Sequence, residues 1–574
     1  MIIPQDILEY IYGLEKLPSV NKNTRNFNKS KIIIINNNRV NSFINKLKCT
    51  FEIHNIPMSV TYSPCLILKD WFYEYIAHTN LEHLKIHSVL FIIETFKNLS
   101  KNIFVNNLDL SDNCIRIIPD DFFNNIRIRQ NLFLNNIGLQ RLPISIYSIK
   151  ISGDLHLDYN KLTKLSENFS SIVIGGSLYL NNNELTQLPE NFSSIVIGGS
   201  LYLNNNELTQ LPESFGRIQI GGDLYLNNNK LIKLPDSFCN ICIGGSLYLD
   251  RNYLEELPIN FGSITVGGNI HLYKNRLQVL PETISKLVVI GNLLLQTNQL
   301  KCLPESFSRI QIVGDLWLNN NLLEEISESF CDICIGGNLY LECNKLKKIP
   351  ESFYKITIGG DLYLQYNRFT SLPNTFGGIK IGGGLHLEYN NIKELPETFG
   401  NINISGNLCL NDNKLESLPK TFGNLYIKGT LDISNNRLQE LPLSFTKIHV
   451  DGDLKIENNR LKRLSKEFGD IQIKGKLNLR YNKLKKIPLS FSRCEIGKSL
   501  ILTHNQIDNL DSTFMDFKFG GFVDLSFNIG VFSGINKFSK KKLKKWFNCS
   551  DSDSDPVSES ESESDSNSDS DSDY

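Results

Sequence analysis

Two pairs of cysteines have the spacing of metal ligands and are the first residues in the sequence that could do chemistry. Cys239 and Cys242 are separated by two residues, and so are Cys331 and Cys334. Together the pairs could supply four thiolates to a structural zinc ion, each about 2.3 Å from the metal. Because a long stretch of chain separates the two pairs, the fold must decide whether they meet.

Two further motifs invite a chemical interpretation. The run from Ser492 to Ser499 lacks one glycine of a phosphate-binding loop, and such a loop needs a strand before it and a helix after it. His83 and His87 have the spacing of a zinc-protease motif, but the glutamate between them is missing. The structural elements that carry these residues therefore decide what they can do.

One repeat dominates the chain and sets the position of these residues. In the segment 221–235, GGDLYLNNNKLIKLP, the first leucine is Leu224. An aliphatic residue recurs at this lead position every 23 residues from Leu132, through Leu155 and Leu178, to Val523. Leu108 precedes Leu132 by one position more than that period, and an asparagine follows each lead residue by five positions except at Ile137. This L-x-L-x-x-N-x-L pattern resembles the leucine-rich repeat.

The spacing within the repeat predicts its local structure. L-x-L alternates with period two, so both leucines point into a core and the residue between them points out. So short a strand buries its apolar face only by stacking on the next repeat, about 4.8 Å away. On the return path, Ile-x-Ile and Gly-Gly leave too few residues to nucleate a helix, and we expect an extended segment turned by glycines with positive φ.

The resemblance and these positions together predict the fold class. We expect a leucine-rich-repeat solenoid, an α/β-type horseshoe that is mostly β, with a parallel concave sheet. Its convex side should consist of short extended and turn segments rather than helices. A phenylalanine recurs 14 positions after the lead leucine, as Phe238 does after Leu224, with Ile284 as the exception. These phenylalanines should form a buried spine.

The asparagine of each repeat is predicted to be structural. Its side-chain amide can bond the backbone of its own turn and of the neighbouring turn, which would form a ladder along the stack. Loss of one rung would leave a buried backbone group unpaired, at a cost of about 1–3 kcal/mol. The predicted ladder comprises Asn160, Asn183, Asn206, Asn229, Asn252, Asn275, Asn298, Asn321, Asn344, Asn367, Asn390, Asn413, Asn436, Asn459, Asn482 and Asn505.

The repeat register argues against the chemical interpretations. The two cysteine pairs occupy the same position four repeats apart, about 19 Å along the stack, so four thiolates cannot reach one metal ion. A repeat strand, not a helix, is expected to follow Ser499. No Ser/His/Asp or Cys/His set is expected to converge, so we predict no catalytic residue, no metal, no cofactor and no enzymatic activity.

The residue between the two leucines is the predicted recognition surface, because it points out of the concave sheet. Tyrosine and tryptophan are favoured at binding hot spots, since they offer a large contact area at low entropic cost. The alternative is that the duplicated tyrosines only stack on one another. The predicted partner-binding stripe comprises Tyr179, Tyr202, Tyr225, Tyr248, His271, Trp317, Tyr340, Tyr363 and His386, with Leu294 between its two halves.

The two ends of the chain depart from the regular repeat. The regular array is predicted to span 108–535 as 19 repeats, preceded by a degenerate repeat-like region at 33–107. Residues 1–32 are predicted to be a helical cap, although Ile3 to Ile11 is also similar to the opening of an F-box, which would imply docking to a ubiquitin-ligase adaptor. Residues 536–549 should form a basic cap and residues 550–574 a disordered acidic tail.

Charge is unevenly distributed along the chain, although the net charge is −1. The tail carries 11 serines and 10 acidic residues without Lys or Arg, which leaves +9 on residues 1–549 and +12 on 454–549 alone. Ser550, Ser552 and Ser558 each precede an acidic residue by three positions and resemble casein-kinase sites, where a phosphate adds up to about −2. The tail either folds back over the basic repeats and screens a partner, or extends independently from a solvated rim.

Composition excludes several classes of protein. A hydrophobic fraction of 41% is too high for a wholly disordered chain, and no run reaches the roughly 18 apolar residues of a membrane span. The first residues lack a basic signal-peptide region, and twelve cysteines are too few for a disulfide scaffold, so an intracellular location is expected. The Asn-, Ile-, Lys- and Phe-rich usage resembles leucine-rich-repeat proteins of giant amoeba-infecting viruses or AT-rich protists.

These observations predict a monomeric, non-enzymatic scaffold for protein–protein interaction. Its partner should be a protein of unknown identity that binds the concave face, and no small-molecule substrate is expected. Two alternatives remain open. One is an F-box-like substrate receptor of a ubiquitin ligase, and the other is binding of nucleic acid or an acidic partner through the basic C-terminal repeats. Nucleic acid is disfavoured because the acidic tail would compete for the same surface.

Overall fold

The computed structural model describes residues 31–34, 51–55, 58–62, 81–86, 103–112 and 115–529. The chain divides into two compact units. Unit 1 is Met1–Phe369 with Ile379–Gly382, and unit 2 is Thr370–Gly378 with Gly383–Tyr574. The predicted F-box-like segment, basic cap, acidic tail and phosphorylation sites lie outside the described residues, and the domain boundaries remain predictions.

Each regular repeat begins with a two-residue strand at its lead leucine, and we call these the leucine strands. Neighbouring leucine strands pair in parallel, with Leu201 opposite Leu224 and Tyr202 opposite Tyr225. The amide of Leu203 donates to the carbonyl of Tyr225 at 2.8 Å. In unit 1 the leucine strands are Leu132–Phe133, Leu155–His156, Leu178–Tyr179, Leu201–Tyr202, Leu224–Tyr225, Leu247–Tyr248, Ile270–His271, Leu293–Leu294, Leu316–Trp317, Leu339–Tyr340 and Leu362–Tyr363. In unit 2 they are Leu385–His386, Leu408–Cys409, Leu431–Asp432, Leu454–Lys455, Leu477–Asn478, Leu500–Ile501 and Val523–Asp524.

A second set of two-residue strands forms on the return path, where the sequence reads Ile-x-Ile, and we call these the return strands. They also pair in parallel, as Cys242 does with Thr265. Unit 1 has a six-stranded sheet of Lys150–Ile151, Val173–Ile174, Val196–Ile197, Gln219–Ile220, Cys242–Ile243 and Thr265–Val266, and a five-stranded sheet of Val288–Val289, Gln311–Ile312, Cys334–Ile335, Thr357–Ile358 and Lys380–Ile381. Unit 2 has a five-stranded sheet of Tyr426–Ile427, His449–Val450, Gln472–Ile473, Glu495–Ile496 and Lys518–Phe519.

Short 3-10 turns connect the two sets of strands. Proline and phenylalanine organise them: the amide of Phe238 donates to the carbonyl of Pro235 at 2.9 Å, and the amide of Ile241 then donates to Phe238 at 3.1 Å. Unit 1 has such turns at Ile144–Ser148, Glu167–Ser171, Phe192–Ser194, Phe215–Arg217, Asp236–Asn240, Phe261–Ser263, Glu282–Lys286, Glu305–Arg309, Ser329–Asp332 and Glu351–Lys355. Unit 2 has them at Phe376–Gly378, Glu397–Asn401, Phe422–Asn424, Leu443–Lys447, Phe468–Asp470, Leu489–Arg493 and Ser512–Asp516.

The predicted fold class is confirmed: both units are leucine-rich-repeat solenoids with parallel leucine strands and a return side without α-helices among the described residues. The lead leucines are buried, and so are the phenylalanines of the 3-10 turns. Phe215 and Phe238 lie parallel with their ring centroids 6.1 Å apart, and Ile284 fills the same position without exposure. Within the described part of the chain, no helix is long and apolar enough to cross a membrane.

The glycines of the return path do not have the role that the sequence suggested. Only Gly138 has a positive φ among the described glycines. A Cβ on Gly244 would instead collide with the carbonyl oxygen of Gly221, so glycine is needed because the backbones of successive turns approach closely. The left-handed residue is a different one, four positions after the lead leucine, where Asn228 has φ of 53° and Arg251 has 54°.

The chain before the regular repeats forms longer strands. Lys31–Ile34 pairs in parallel with Met58–Tyr62, and Leu81–Ile86 pairs in parallel with Ile103–Asp109. Phe51–Asn55 is antiparallel to both Met58–Tyr62 and Leu81–Ile86, an arrangement that the repeat pattern did not predict. Ile103–Asp109 then pairs with Ile126–Ile128 and with Leu132–Phe133, which joins this region to the leucine strands.

Candidate recognition face

The residues between the paired leucines form two stacks of rings in unit 1, separated by Leu294, and we call the two stacks together the aromatic stripe. Tyr179 and Tyr202 lie 4.4 Å apart between centroids, Tyr202 and Tyr225 4.5 Å, and Tyr225 and Tyr248 4.3 Å. The corresponding interplanar angles are 7°, 9° and 7°, so the rings are nearly parallel. His271 continues the stack beyond Tyr248 at 4.3 Å. Parallel pairing in strict register places each ring directly over the next.

A second stack follows Leu294, which pairs with His271 on one side and Trp317 on the other. Trp317 lies 3.8 Å from Tyr340, and Tyr340 lies 4.6 Å from Tyr363. All of these side chains are half-buried. Their faces cover one another, so they present ring edges and polar tips to solvent, which is a smaller apolar area than isolated aromatic side chains would offer.

Two tyrosine hydroxyls donate to an aspartate that lies one position before the lead leucine. The hydroxyl of Tyr225 donates to Asp223 Oδ2 at 3.1 Å, and that of Tyr363 donates to Asp361 Oδ2 at 3.0 Å. Burial raises the pKa of Tyr225 and of Tyr363, and the adjacent carboxylates act in the same direction. Both phenols are therefore neutral at physiological pH and act as hydrogen-bond donors.

A second outward-facing column lies two residues after the aromatic stripe, and we call it the polar column. Its buried oxygens include Asn181 Oδ1, Asn204 Oδ1 and Asn227 Oδ1, which have no hydrogen-bond partner among the described residues. Asp250, in the same column, is only 2% exposed, and its burial raises the pKa of the carboxyl group. This column was not predicted from the sequence, although the same period-two alternation that identifies the stripe also identifies it.

In unit 2 the equivalent positions change character. His386 is followed by Cys409, Asp432 and Lys455 in register. Lys455 Nζ lies 3.3 Å from Asp432 Oδ2. The outward face of unit 2 is therefore polar and of mixed charge, as the sequence indicates for residues beyond 409.

The asparagine five positions after the lead leucine lies inside the stack. Asn229 Nδ2 donates to the carbonyl of Leu226 at 3.1 Å in its own repeat and to that of Leu203 at 3.0 Å in the previous one. Its Oδ1 accepts from the amide of Leu208 at 3.0 Å. The same arrangement recurs at Asn459 in unit 2. These residues connect repeats and are not available to a partner.

The two cysteine pairs occupy equivalent positions of their repeats. Cys239 and Cys331 are buried within 3-10 turns, whereas Cys242 and Cys334 are exposed on return strands. Burial raises the pKa of the Cys239 and Cys331 thiols, which keeps them protonated.

The expectation that no Cys/His set converges is wrong. The ligand atoms of His386, Glu388 and Cys409 all lie within 4.8 Å of one another. The signal was present in the sequence, because residues 386 and 409 occupy the same position of successive repeats and 386 and 388 share a strand face.

Many basic residues of the C-terminal repeats have an acidic residue one repeat earlier in the chain. Lys474 Nζ lies 2.6 Å from Asp451, and Arg493 lies 2.8 Å from Asp470. Lys518 Nζ lies 2.9 Å from Glu495. These exposed pairs add little stability, but they offset part of the positive charge on which nucleic-acid binding would depend.

No family model matches the chain, and no curated protein matches it either. Solved structures do resemble it. A leucine-rich-repeat protein of Leptospira interrogans is 24% identical over 73% of this chain and 93% of its own, with a TM-score of 0.47. YopM, a leucine-rich effector protein of Yersinia pestis, is 24% identical over 62% and 85%, with a TM-score of 0.35. The Toll–Spätzle complex of Drosophila is 18% identical over 77% and 76%, with a TM-score of 0.44.

Proposed function

We propose that this protein is a non-enzymatic scaffold that binds a protein partner on the outward face of its leucine strands, with the aromatic stripe as the main contact surface. The observation that carries the proposal is the stack from Tyr179 to His271, in which five rings lie 4.3–4.5 Å apart and remain half-exposed. The rings are fixed by their neighbours before any partner arrives.

Pre-ordering of the stripe favours binding. An aromatic side chain that is already immobilised loses little conformational freedom on association, and ordering of each rotamer-rich side chain otherwise costs about 0.5–1.5 kcal/mol. The stacked rings extend along the repeat axis at about 4.8 Å per repeat, so five repeats present a contact surface roughly 20 Å long. This length suits a protein surface or an extended peptide better than a compact small molecule.

The neutral phenols favour binding over acid–base chemistry. The hydroxyls of Tyr225 and Tyr363 donate to carboxylates at 3.1 and 3.0 Å, and the pKa of each phenol is raised. Neither phenol therefore loses its proton near neutral pH to become a base. Ring edges and hydroxyl donors are the groups that a tyrosine-rich paratope uses to recognise proteins. The polar column beside the stripe adds amide and carboxyl groups that would fix the register of a partner.

Affinity capture with matched variants tests this function. We expect a partner captured by the wild-type chain to be lost when Tyr225, Tyr248 and Trp317 are changed to alanine together. The control changes Gln219 and Thr265 to alanine, which are exposed on return strands of nearby repeats and should leave capture unchanged. Circular dichroism and thermal unfolding must show both variants folded. Equal loss in the two variants, or none in either, would contradict recognition by the stripe.

A further inference from the structure

Three side chains with metal-ligating atoms meet on the outward face of unit 2. His386 and Glu388 lie two residues apart after lead Leu385, so period-two alternation places both on one face. Cys409 pairs directly with His386 across the parallel leucine strands. The ligand atoms of the three residues lie within 4.8 Å of one another, and His386 Nδ1 is 3.8 Å from Glu388 Oε1.

We infer that His386, Glu388 and Cys409 form a binding site for a zinc-type divalent cation. Imidazole, carboxylate and thiolate are the ligands that Zn²⁺ takes in proteins, and three protein ligands leave a fourth position for water or a partner's group. One thiolate, one carboxylate and one neutral imidazole also balance the double positive charge of the ion. All three residues belong to unit 2, and none is part of the aromatic stripe of unit 1, so the site does not depend on the proposed function.

The position of Glu388 supports the site independently of donor chemistry. Its Oε2 is buried and has no hydrogen-bond partner among the described residues. A buried carboxylate oxygen without a partner is costly, and a bound cation removes that cost. The side chains of His386 and Glu388 are only 15% and 16% exposed, so an ion between them would be largely shielded from water.

Gly384 lies beside His386 and against the backbone of the next repeat. A Cβ at position 384 would lie 2.8 Å from the carbonyl oxygen and 3.0 Å from the amide nitrogen of Asn407, and 3.3 Å from His386 Nε2, so the glycine there is required mainly by the backbone of the next repeat. The backbone aligns all three residues, so small side-chain rotations would bring their ligand atoms from within 4.8 Å of one another to the closer spacing of a tetrahedral site.

Unit 1 contains a matched arrangement without the thiol. His156 Nδ1 lies 3.6 Å from Asp158 Oδ1, and both occupy the same two positions of their repeat as His386 and Glu388. The residue opposite His156 is Tyr179, whose ring covers the imidazole at 4.1 Å. Cysteine in place of that tyrosine is therefore what distinguishes the proposed site, and His156 provides an internal control.

Cobalt substitution of the full-length protein provides the test. We expect Co²⁺ to produce a thiolate-to-cobalt charge-transfer absorption that Zn²⁺ displaces. Cys409→Ser should abolish this absorption, and Glu388→Gln should weaken cobalt binding about tenfold or more. His156→Ala and Cys302→Ser, which changes an exposed cysteine, should leave both unchanged. The acidic segment 550–574 can bind cobalt only through oxygen and contributes no such absorption.

A second measurement covers the case in which Cys409→Ser does not fold. In the wild-type chain, Zn²⁺ should slow alkylation of Cys409 while Cys302 reacts at its usual rate, as measured by mass spectrometry. Absence of the cobalt absorption, its persistence in folded Cys409→Ser, or equal alkylation of Cys409 with and without Zn²⁺ would each overturn the proposal.

Discussion

Asp250 is a buried carboxylate whose charge is expected to lower the stability of the folded repeats. It occupies the polar-column position where three preceding repeats carry Asn181, Asn204 and Asn227. At 2% exposure its carboxylate has lost most of its hydration, and burial is the largest influence on its pKa, which is raised. Tyr273, Arg251 and Lys274 act in the opposite direction without cancelling this effect.

We predict that Asp250→Asn stabilises the protein at pH 7. A raised pKa means that the folded state binds the proton more tightly than the unfolded state, so Asp250 costs stability when the pH is above its folded pKa. That cost disappears as the pH falls below the unfolded value, about 3.9. Denaturant unfolding of wild type and variant at pH 7 and near pH 4 should show a difference that shrinks on acidification. A difference that is independent of pH would rule out the carboxyl charge as its cause.

At the scale of the element, the sequence predicts which residues lie inside each repeat better than it predicts the contacts between repeats. Period-two leucines and the spacing of Phe238 predict the strands and the spine, because burial follows from residue type and periodicity. The left-handed position could not be predicted, since it holds Asn228, Arg251 and Lys274 with no glycine to mark it. The role of Gly244 was misassigned because the close approach of a neighbouring carbonyl is a property of the stack.

The same distinction, between features within one repeat and contacts between repeats, applies to the candidate site. The aromatic stripe follows from alternation within one strand, so its members could be named from the sequence alone. Its ring stacking was left open, because it depends on strict register between repeats. The grouping of His386 with Cys409 was missed for the same reason: the two meet only when equivalent positions of successive repeats are compared within one face.

The asparagine ladder is the clearest element-scale connection, and we predict that Asn229→Ala destabilises the protein by about 1–3 kcal/mol. The change removes the donor to Leu203 and Leu226 and leaves the buried amide of Leu208 without its acceptor. Denaturant unfolding measures the loss. The control is Lys233→Ala, an exposed position in the same repeat, which should change stability by less than about 0.5 kcal/mol. Equal effects of the two substitutions would show that the rung is not structural.

At the scale of the molecule, stability is expected to be a sum of nearly equivalent repeats and the interfaces between neighbours. In unit 1 the residues at Leu178, Leu201 and Leu224 make the same pairings one repeat apart, with Leu178 opposite Leu201 and Leu201 opposite Leu224. The tyrosines that follow these leucines also stack at nearly equal distances of 4.4 and 4.5 Å. Removal of one whole repeat therefore leaves every neighbouring position with an equivalent partner.

We predict that deletion of residues 201–223, which joins Ser200 to Leu224, gives a folded protein with cooperative unfolding. Leu178 would then face Leu224, and Tyr179 would stack on Tyr225, so the lost contribution is about that of one repeat and its interface. Deletion of residues 201–211 is the matched control, because it removes about half a repeat and places loop residues opposite a leucine strand. Circular dichroism and thermal unfolding compare the two. If the full-repeat deletion unfolds as severely as the half-repeat deletion, then the repeats are not interchangeable and stability depends on the identity of each one.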